Sequence, residues 1–441
     1  MNSRKLVVEI LNRTRREHVI VDILVDDLFR RHGLSPQDRA FIFEIIQGTL
    51  RWQKKLEWII SQYNQGSYQK SPLAIRNILE SSLYQILFMN KTPAYAVVNE
   101  AVQITKNFKG EYWARRVNGI LRNIIREQSN LPTPDPAKDP VQFLSVTFSH
   151  PEWLVQRWID QFGVEETSRL CQANNEKPHL SLRVNTMKTT ADELLAALKG
   201  DQISVQKSPV DPDFLQAENI PALNENVYFR NGFFSIQDES AGLVARLLAP
   251  RSGEVILDLC AAPGGKATHV AELARDRARV LAVDRVRQRL DLIRETITRL
   301  GLKRVFPVLG DATHFAAKNV TKILLDVPCS GLGVLAKRAD LRWQRQPSDI
   351  QELSALQLQI LRHAGSLVKK GGIIVYSTCT IETAENEQVV ETFLKENPEF
   401  RLDDPLQFVA SEFVSGGKYL RTFPHIHRTD GSFAARLVRS T

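Results

Sequence analysis

Three stretches of this 441-residue chain carry side chains that could do chemistry together. Asp326-Val327-Pro328-Cys329-Ser330-Gly331 and Ser377-Thr378-Cys379-Thr380 each place a cysteine just past an apolar run, and the first adds a carboxylate. The third, Asp258-Leu259-Cys260-Ala261-Ala262-Pro263-Gly264-Gly265-Lys266, is built from small residues. A thiolate that attacks a ring carbon splits one difficult step into easier ones. A thiol with a pKa of about 8.5 is only a few per cent ionised at neutral pH, so a site that uses one must favour the ionised form.

The small-residue stretch lies between Glu254-Val255-Ile256-Leu257, which reads as a buried strand, and Ala267 to Leu273, whose apolar spacing predicts a helix. A strand that turns into a helix this way leaves backbone N–H groups facing outward, and Gly264 and Gly265 let a ligand approach them closely. The dinucleotide pattern G-x-G-x-x-G is absent. A phosphate loop is also excluded, because Gly265-Lys266 is followed by Ala267 and Cys260 stands where its first glycine belongs. The next strand, Arg279 to Val283, ends in Asp284, a carboxylate placed to accept hydrogen bonds from ribose hydroxyls. Asp311 follows the strand Val305 to Leu309, and Asp326 follows Lys322 to Leu325. Acids at strand ends with no phosphate clamp suit a cationic adenosine ligand, S-adenosylmethionine.

With a methyl donor in the same crevice the cysteines acquire a purpose. Carbon 5 of cytosine is a poor nucleophile until a thiolate adds to carbon 6 and turns the ring into an enamine. Asp326 is placed to protonate N3, and the second cysteine could remove the carbon 5 proton so that the first can leave. The target base must be unpaired or flipped out. Spacing does not decide whether Cys329 or Cys379 attacks. The other two cysteines, Cys171 and Cys260, read as small buried hydrophobes, with the Cys260 backbone touching the cofactor. No C-x-x-C pair or histidine spacing suggests zinc, so no metal is expected.

The elements that must position these residues follow from periodicity. Residues 1–130 predict a bundle of six or so helices, with apolar faces such as Leu6/Val7/Ile10/Leu11, Ile20/Ile23/Leu24/Leu28 and Val117/Ile120/Leu121/Ile124. Ser35 should cap a helix that has Pro36 in its first turn. Leu131 to Pro136 is a proline-rich linker. Helices over Trp153–Phe162 and Val164–Cys171 precede a strand at Leu180–Val184, a helix from Thr190 to Leu198 and a strand near Ile203–Val205. These give a small α+β segment of RNA-recognition-like character. From Tyr228 to the end strands and helices alternate, the fifth strand being Gly372 to Tyr376, which predicts a doubly wound α/β domain. The expected division is 1–130, 131–230 and 231–441.

With 43% hydrophobic and 24% charged residues the composition is globular, and no apolar run reaches membrane-spanning length. The first residues lack the apolar stretch of a signal peptide, so a cytoplasmic location is expected. Residues 1–128 hold 20 Lys and Arg against 12 Asp and Glu, while the rest hold 38 of each. A basic excess confined to the helical module suits a polyanion. Arg115, Arg116, Arg122 and Arg126 lie along one predicted helix beside Tyr112 and Trp113, which suits RNA, although Trp113 could equally belong to the core.

D-L-C-A-A-P-G-G-K (258–266), D-V-P-C-S-G (326–331) and S-T-C-T (377–380) resemble the RNA cytosine-5 methyltransferase family. So do Arg183-Val184-Asn185, Gln237-Asp238-Glu239-Ser240, and Arg421 to His425 with Asp430-Gly431. Thr380 departs from the serine of many members. The helical module is similar to the RNA-binding antitermination factor NusB. The resemblance implies a Rossmann-like S-adenosylmethionine-dependent methyltransferase domain behind an all-α NusB-like domain and a small α+β segment. It implies Cys379 as nucleophile, Cys329 as the group that assists product release, and cofactor contacts from Cys260, Ala261, Ala262, Pro263, Gly264, Gly265, Lys266, Asp284, Asp311 and Asp326. The fusion implies 16S ribosomal RNA, free or in a partly assembled small subunit, as the partner of a monomer. Two other readings stand beside this one: the same chemistry on transfer RNA, and a non-catalytic RNA-binding assembly factor. The second requires loss of a cysteine or of the glycine loop, and both are retained.

Overall fold

The computed structural model describes residues 2–17 and 21–440; Ile20, one of the apolar positions read as helical, lies outside them. The chain forms two compact units, residues 1–175 with 338–345, and residues 176–337 with 346–441. In the first, among the described residues, helical spacing produces seven helices over 1–130 where about six were expected: Ser3–Glu17, Val21–His32, Pro36–Arg51, Gln53–Tyr63, Leu73–Phe88, Ala94–Lys109 and Glu111–Arg126. Ser35 caps the third through its side chain, which accepts from the Asp38 N–H at 3.1 Å, and Pro36 occupies the first turn as read. The apolar faces of these helices close on one core that includes Leu11, Ile45, Ile46, Leu83, Leu121 and Ile124.

Helices Pro140–Thr147 and Glu152–Ala173 complete this unit. The second is broken at Gly163, whose φ of 81° is left-handed, so it is the predicted pair of helices with a glycine between them. Residues 338–345 also pack in this unit, although in sequence they follow the fourth strand of the large sheet. Arg342 is fully buried and donates to Ser149 O (2.9 Å), Asn174 O (3.1 Å) and Asn175 Oδ1 (2.9 Å). Burial pulls its pKa down to about 9. Trp343 Nε1 donates to Leu50 O at 2.6 Å.

The second unit holds two sheets. The smaller uses β1 (Leu180–Val184), β2 (Val205–Lys207), β3 (Phe214–Ala217) and β4 (Phe234–Ile236) in the antiparallel order β2-β3-β1-β4. Helix Ala191–Gly200 joins β1 to β2, and its N-terminus carries the capping box Thr190/Glu193. This is the β-α-β-β-α-β arrangement of a ferredoxin-like fold. The strand expected near 203–205 begins two residues later, at Val205.

The larger sheet contains β5 (Val255–Asp258), β6 (Arg279–Asp284), β7 (Val305–Leu309), β8 (Val320–Asp326) and β9 (Val368–Thr378). It continues with β10 (Phe400–Leu402), β11 (Val414–Ser415), β12 (Tyr419–Thr422) and β13 (Ser432–Arg439). The order is β11-β12-β13-β9-β8-β5-β6-β7, with β10 on β13. Five strands, β9-β8-β5-β6-β7, run parallel, and β13 lies antiparallel to β9. The sheet is therefore mixed, not wholly parallel: the tail returns from β12 to β13 through a short connection that cannot make a crossover. Alternate side chains enter opposite cores, as period two requires. Leu324 and Val375 meet the helices that contribute Leu243, Val270 and Ile293, while Ile323, Leu325 and Tyr376 meet those that contribute Leu361 and Phe393. Winding reverses between β5 and β8, the switch point at which α/β sheets open a crevice.

One buried ion pair gives a stability test of the helical unit. Glu80 is 0% exposed, pairs with Arg15, and accepts from Tyr68 Oη at 2.5 Å. Glu80→Ala leaves the guanidinium and hydroxyl stranded, which should cost about 3–5 kcal/mol. Urea unfolding followed by circular dichroism should show an earlier midpoint for this unit; an unchanged midpoint refutes the reading.

Candidate active site

The glycine loop leaves β5 and enters helix Gly265–Leu273. Gly264 adopts φ 101°, where an added Cβ would also lie 3.2 Å from Ile293. The Ala261 N–H donates to Val283 O at 2.9 Å, and the Gly264 N–H to Ala261 O at 2.7 Å. Asp284 accepts from the Ala262 N–H at 3.2 Å, while Arg289 donates to Ala262 O at 2.8 Å and lies 3.6 Å from the Asp284 carboxylate. Lys266 Nζ reaches Asp326 Oδ2 at 2.7 Å. Burial works against the charge on Lys266, but the Asp326 carboxylate outweighs it and raises the pKa.

Beyond β8 and β9 the two cysteine loops meet. Cys329 Sγ and Cys379 Sγ lie 2.9 Å apart, and the Cys379 N–H donates to Cys329 Sγ at 3.3 Å. The hydrogen bond to Cys379, together with burial, raises the Cys329 pKa well above its usual value. A polar bracket holds the loops in place. Glu385 Oε2 accepts from the Ser330 N–H at 2.8 Å and from Gln357 Nε2 at 2.9 Å. Ser330 Oγ lies 2.8 Å from Thr380 Oγ1, and Asn386 bonds both Thr378 Oγ1 (2.6 Å) and Thr380 O (3.0 Å). Gly333 tightens the arrangement, since its N–H donates to Cys379 O at 3.1 Å and its carbonyl accepts from the Gly431 N–H at 2.8 Å.

A cavity of about 260 Å³ brings together Cys260, Ala262, Asp284, Asp311, Asp326, Cys329 and Cys379. Ala261, Pro263, Gly264, Gly265 and Lys266 do not line it, although Lys266 reaches it through Asp326. Arg285, Arg289, Thr313, Leu356 and Ile360, which the sequence reading passed over, do line it. Arg289 lies in the first turns of helix Arg287–Leu300, and an arginine five residues after the strand-end Asp284 was the available signal. Thr313 donates to Asp311 through its N–H (2.8 Å) and its hydroxyl (2.6 Å), which holds the Asp311 pKa below the usual range. Asp258 was also passed over. It is buried beneath the loop, and burial, followed by the negative charge of Asp326, pushes its pKa up to about 8.

Cys171 is in the helical unit, 0% exposed, with its thiol pushed up to about 12 by burial, as its reading as a buried hydrophobe requires. Burial likewise raises the Cys260 thiol. On helix Glu111–Arg126, Arg115, Arg122 and Arg126 are exposed. Arg116 is half-buried over Trp113 and donates to Asn64 Oδ1 (3.1 Å) and Gln65 O (2.7 Å). Trp113 packs against the core, whereas Tyr112 stays 59% exposed. Among the described residues no His, Cys, Asp and Glu cluster could hold a metal, and no helix is long and apolar enough to cross a membrane.

Residues 245–438 match the family model of 16S rRNA methyltransferase RsmB/F, residues 1–126 that of the NusB family, and residues 150–221 that of the RsmF/B-like ferredoxin-like domain. A probable ribosomal RNA small subunit methyltransferase B of Bacillus subtilis is 37% identical over 98% of this chain and 97% of its own. The chain belongs to the ribosomal RNA small subunit methyltransferase B family. Its member from Pasteurella multocida is 34% identical over 99% of this chain and 96% of its own. Among solved structures, PH0851 superimposes with a TM-score of 0.82 at 26% identity, covering 99% of both chains. NSun6 from Pyrococcus horikoshii, solved with SFG, gives 0.60 at 26% identity over 66% of this chain and 98% of its own. The NusB match covers the helical module, and the RsmB/F methyltransferase match covers the large sheet.

Two tests follow from this geometry. A Cβ at Gly333 would lie 1.9 Å from Gly431 O and 2.9 Å from Cys379 O, both backbone atoms. Gly333→Ala should therefore cost about 1–3 kcal/mol in thermal unfolding and disturb the cysteine pair, and a wild-type melting curve would refute the contact. Asp258 ordinarily titrates near 3.8 and here near 8, so the folded state retains a proton that the unfolded chain has lost. Stability should fall as pH rises through that window. Asp258→Asn should flatten this slope in urea titrations across the same range, and an unaltered slope would assign it to other groups.

Proposed function

We propose that the chain transfers a methyl group from S-adenosylmethionine to carbon 5 of a cytosine in 16S ribosomal RNA, an activity of the position-967 type. The observation that carries the proposal is the 2.9 Å approach of two thiols in a cavity that also holds Asp284, Asp311 and Asp326. The lining fits the cofactor chemically. Strand-end carboxylates suit ribose hydroxyls and a cation, Leu356 and Ile360 suit a flat base, and Cys260 and Ala262 bring the glycine loop to the cavity wall. A relative solved with SFG, an analogue of this cofactor, supports the same reading. When bound, the cofactor supplies an electrophilic methyl group on a sulfonium sulfur.

In this reading Cys379 Sγ bonds to carbon 6 of the cytosine while N3 takes up a proton, so the ring electrons move to carbon 5. The match of Ser377-Thr378-Cys379-Thr380 to the family's motif is what assigns the attack to Cys379. Asp326 delivers the N3 proton, with the Lys266 ammonium as its ion-pair partner. Carbon 5 accepts the methyl group. Once Cys379 is bonded to carbon, Cys329 passes its thiol proton to solvent and, as the thiolate, removes the carbon 5 proton. The carbon–sulfur bond then breaks and N3 returns its proton to Asp326, which restores both the Cys379 thiolate and the aromatic ring.

The division of labour assigns residues 1–130 to RNA binding, 131–230 to a linker and RNA-recognition-like segment, and 231–441 to catalysis in a monomer. Arg115, Arg122 and Arg126 contact phosphates, with Arg116 bracing the loop at residues 64–65 between them. The roles separate experimentally. Cys379→Ala should abolish methyl transfer, whereas Cys329→Ala should accumulate a covalent protein–RNA adduct on denaturing gels. The opposite pattern would exchange the two cysteines. Bisulfite mapping of 16S and transfer RNA after gene deletion identifies the substrate class, and loss of a mark in transfer RNA alone would overturn the ribosomal assignment.

A further inference from the structure

Arg183, at the end of β1, belongs to the small ferredoxin-like sheet, yet its guanidinium lies against the helix that follows the glycine loop. It is 1% exposed. Nη1 donates to Gly265 O at 2.6 Å and to Gln237 Oε1 at 2.7 Å. Nη2 donates to Glu272 Oε1 at 2.9 Å and to Thr268 Oγ1 at 3.2 Å. Thr268 in turn donates from its hydroxyl to Gly264 O (2.8 Å) and Gly265 O (3.1 Å).

A buried ion pair is weak evidence of stabilisation, because desolvation of the two charges offsets their attraction. The arginine therefore calls for a different account, and its fork geometry supplies one: five donors in a rigid plane fix the positions of several acceptors at once. Gly265 O belongs to the peptide that leads into Lys266. Setting that carbonyl sets the direction of the Lys266 N–H and of the side chain that reaches Asp326. At the other end of the loop the same duty falls to Asp284 and Arg289, which bind the N–H and carbonyl of Ala262. The loop is thus gripped at residue 262 from the large sheet and at residue 265 from the small one.

We propose that Arg183, steadied by Gln237, is a positioning residue for the cofactor loop, which makes the small sheet part of the cofactor site. This rests on the S-adenosylmethionine reading of the cavity. The test uses the full chain with Arg183→Met, Arg183→Lys and the double variant Arg183→Met/Glu272→Met, which leaves no stranded carboxylate. Calorimetry with S-adenosylhomocysteine should give about a tenfold or greater loss of affinity for Arg183→Met, a loss of 1.4 kcal/mol or more, and partial recovery for Arg183→Lys. The double variant should regain the urea midpoint without regaining affinity. Hydrogen exchange at the amides of 262–266, measured without ligand, should quicken in both Met variants. If the double variant recovers affinity together with stability, or exchange at the loop is unchanged, the proposal is overturned. If the unsubstituted chain fails to bind S-adenosylhomocysteine, the cofactor reading falls, and the exchange measurement still decides whether Arg183 holds the loop.

Discussion

Asp326 and Ser377 face each other across parallel strands β8 and β9, and the active-site geometry depends on that register. The Val327 N–H donates to Ser377 O at 3.1 Å, so both chains leave the sheet at the same level and their cysteines arrive three and two residues later. A slip of one residue would turn the side chains of either strand to the opposite face. The two cores prevent this, because Leu324 and Val375 are committed to one and Ile323, Leu325 and Tyr376 to the other. Burial on both faces is therefore what sets a sulfur-to-sulfur distance at the sheet edge. Placement of a reactive pair follows from hydrophobic patterning several residues away.

What hydrophobic patterning cannot do is hold the loops once they have left the sheet. That work falls to Glu385, whose burial raises its pKa even as Ser330 and Gln357 donate to its carboxylate. Tyr376 Oη adds a bond to the Glu385 carbonyl at 2.5 Å, so the bracket is tied to β9 itself. Thr380 belongs to the same bracket through its hydroxyl, which meets that of Ser330. Ser330 and Gln357 both bind Glu385 Oε2, while Oε1 is buried without a hydrogen-bond partner, which fits the raised pKa.

This contrast explains what could be read from the sequence. Strands ending in Asp284, Asp326 and Cys379 and a glycine loop after β5 were legible, because period-two burial and small residues leave local signatures. Gly163 between two helices and Ser35 before Pro36 were legible for the same reason. Glu385, Arg289 and Asp258 were not, since their significance comes from partners tens of residues away in sequence and no spacing announces it. The return of β13 antiparallel to β9 was missed because an alternation of strands and helices does not record direction. Residues 338–345 were missed more completely. Arg342 looks like a surface residue in the sequence, but it is fully buried among carbonyl oxygens of the helical unit.

Arg342 and Arg183 show how this chain uses arginine. Both are buried, and both spend part or all of their donor fork on backbone carbonyls. A lysine offers three rotatable donors on a flexible stem, whereas a guanidinium presents its donors in a rigid planar fork. A carbonyl bound by such a fork cannot rotate without leaving a buried donor unmet, at a cost of about 1–3 kcal/mol. Apolar packing tolerates small sliding of one element on another, but a forked donor does not. Where a loop must keep its backbone direction, as the glycine loop must for Lys266 to meet Asp326, an arginine delivered from a neighbouring element supplies a constraint that hydrophobic contact alone cannot.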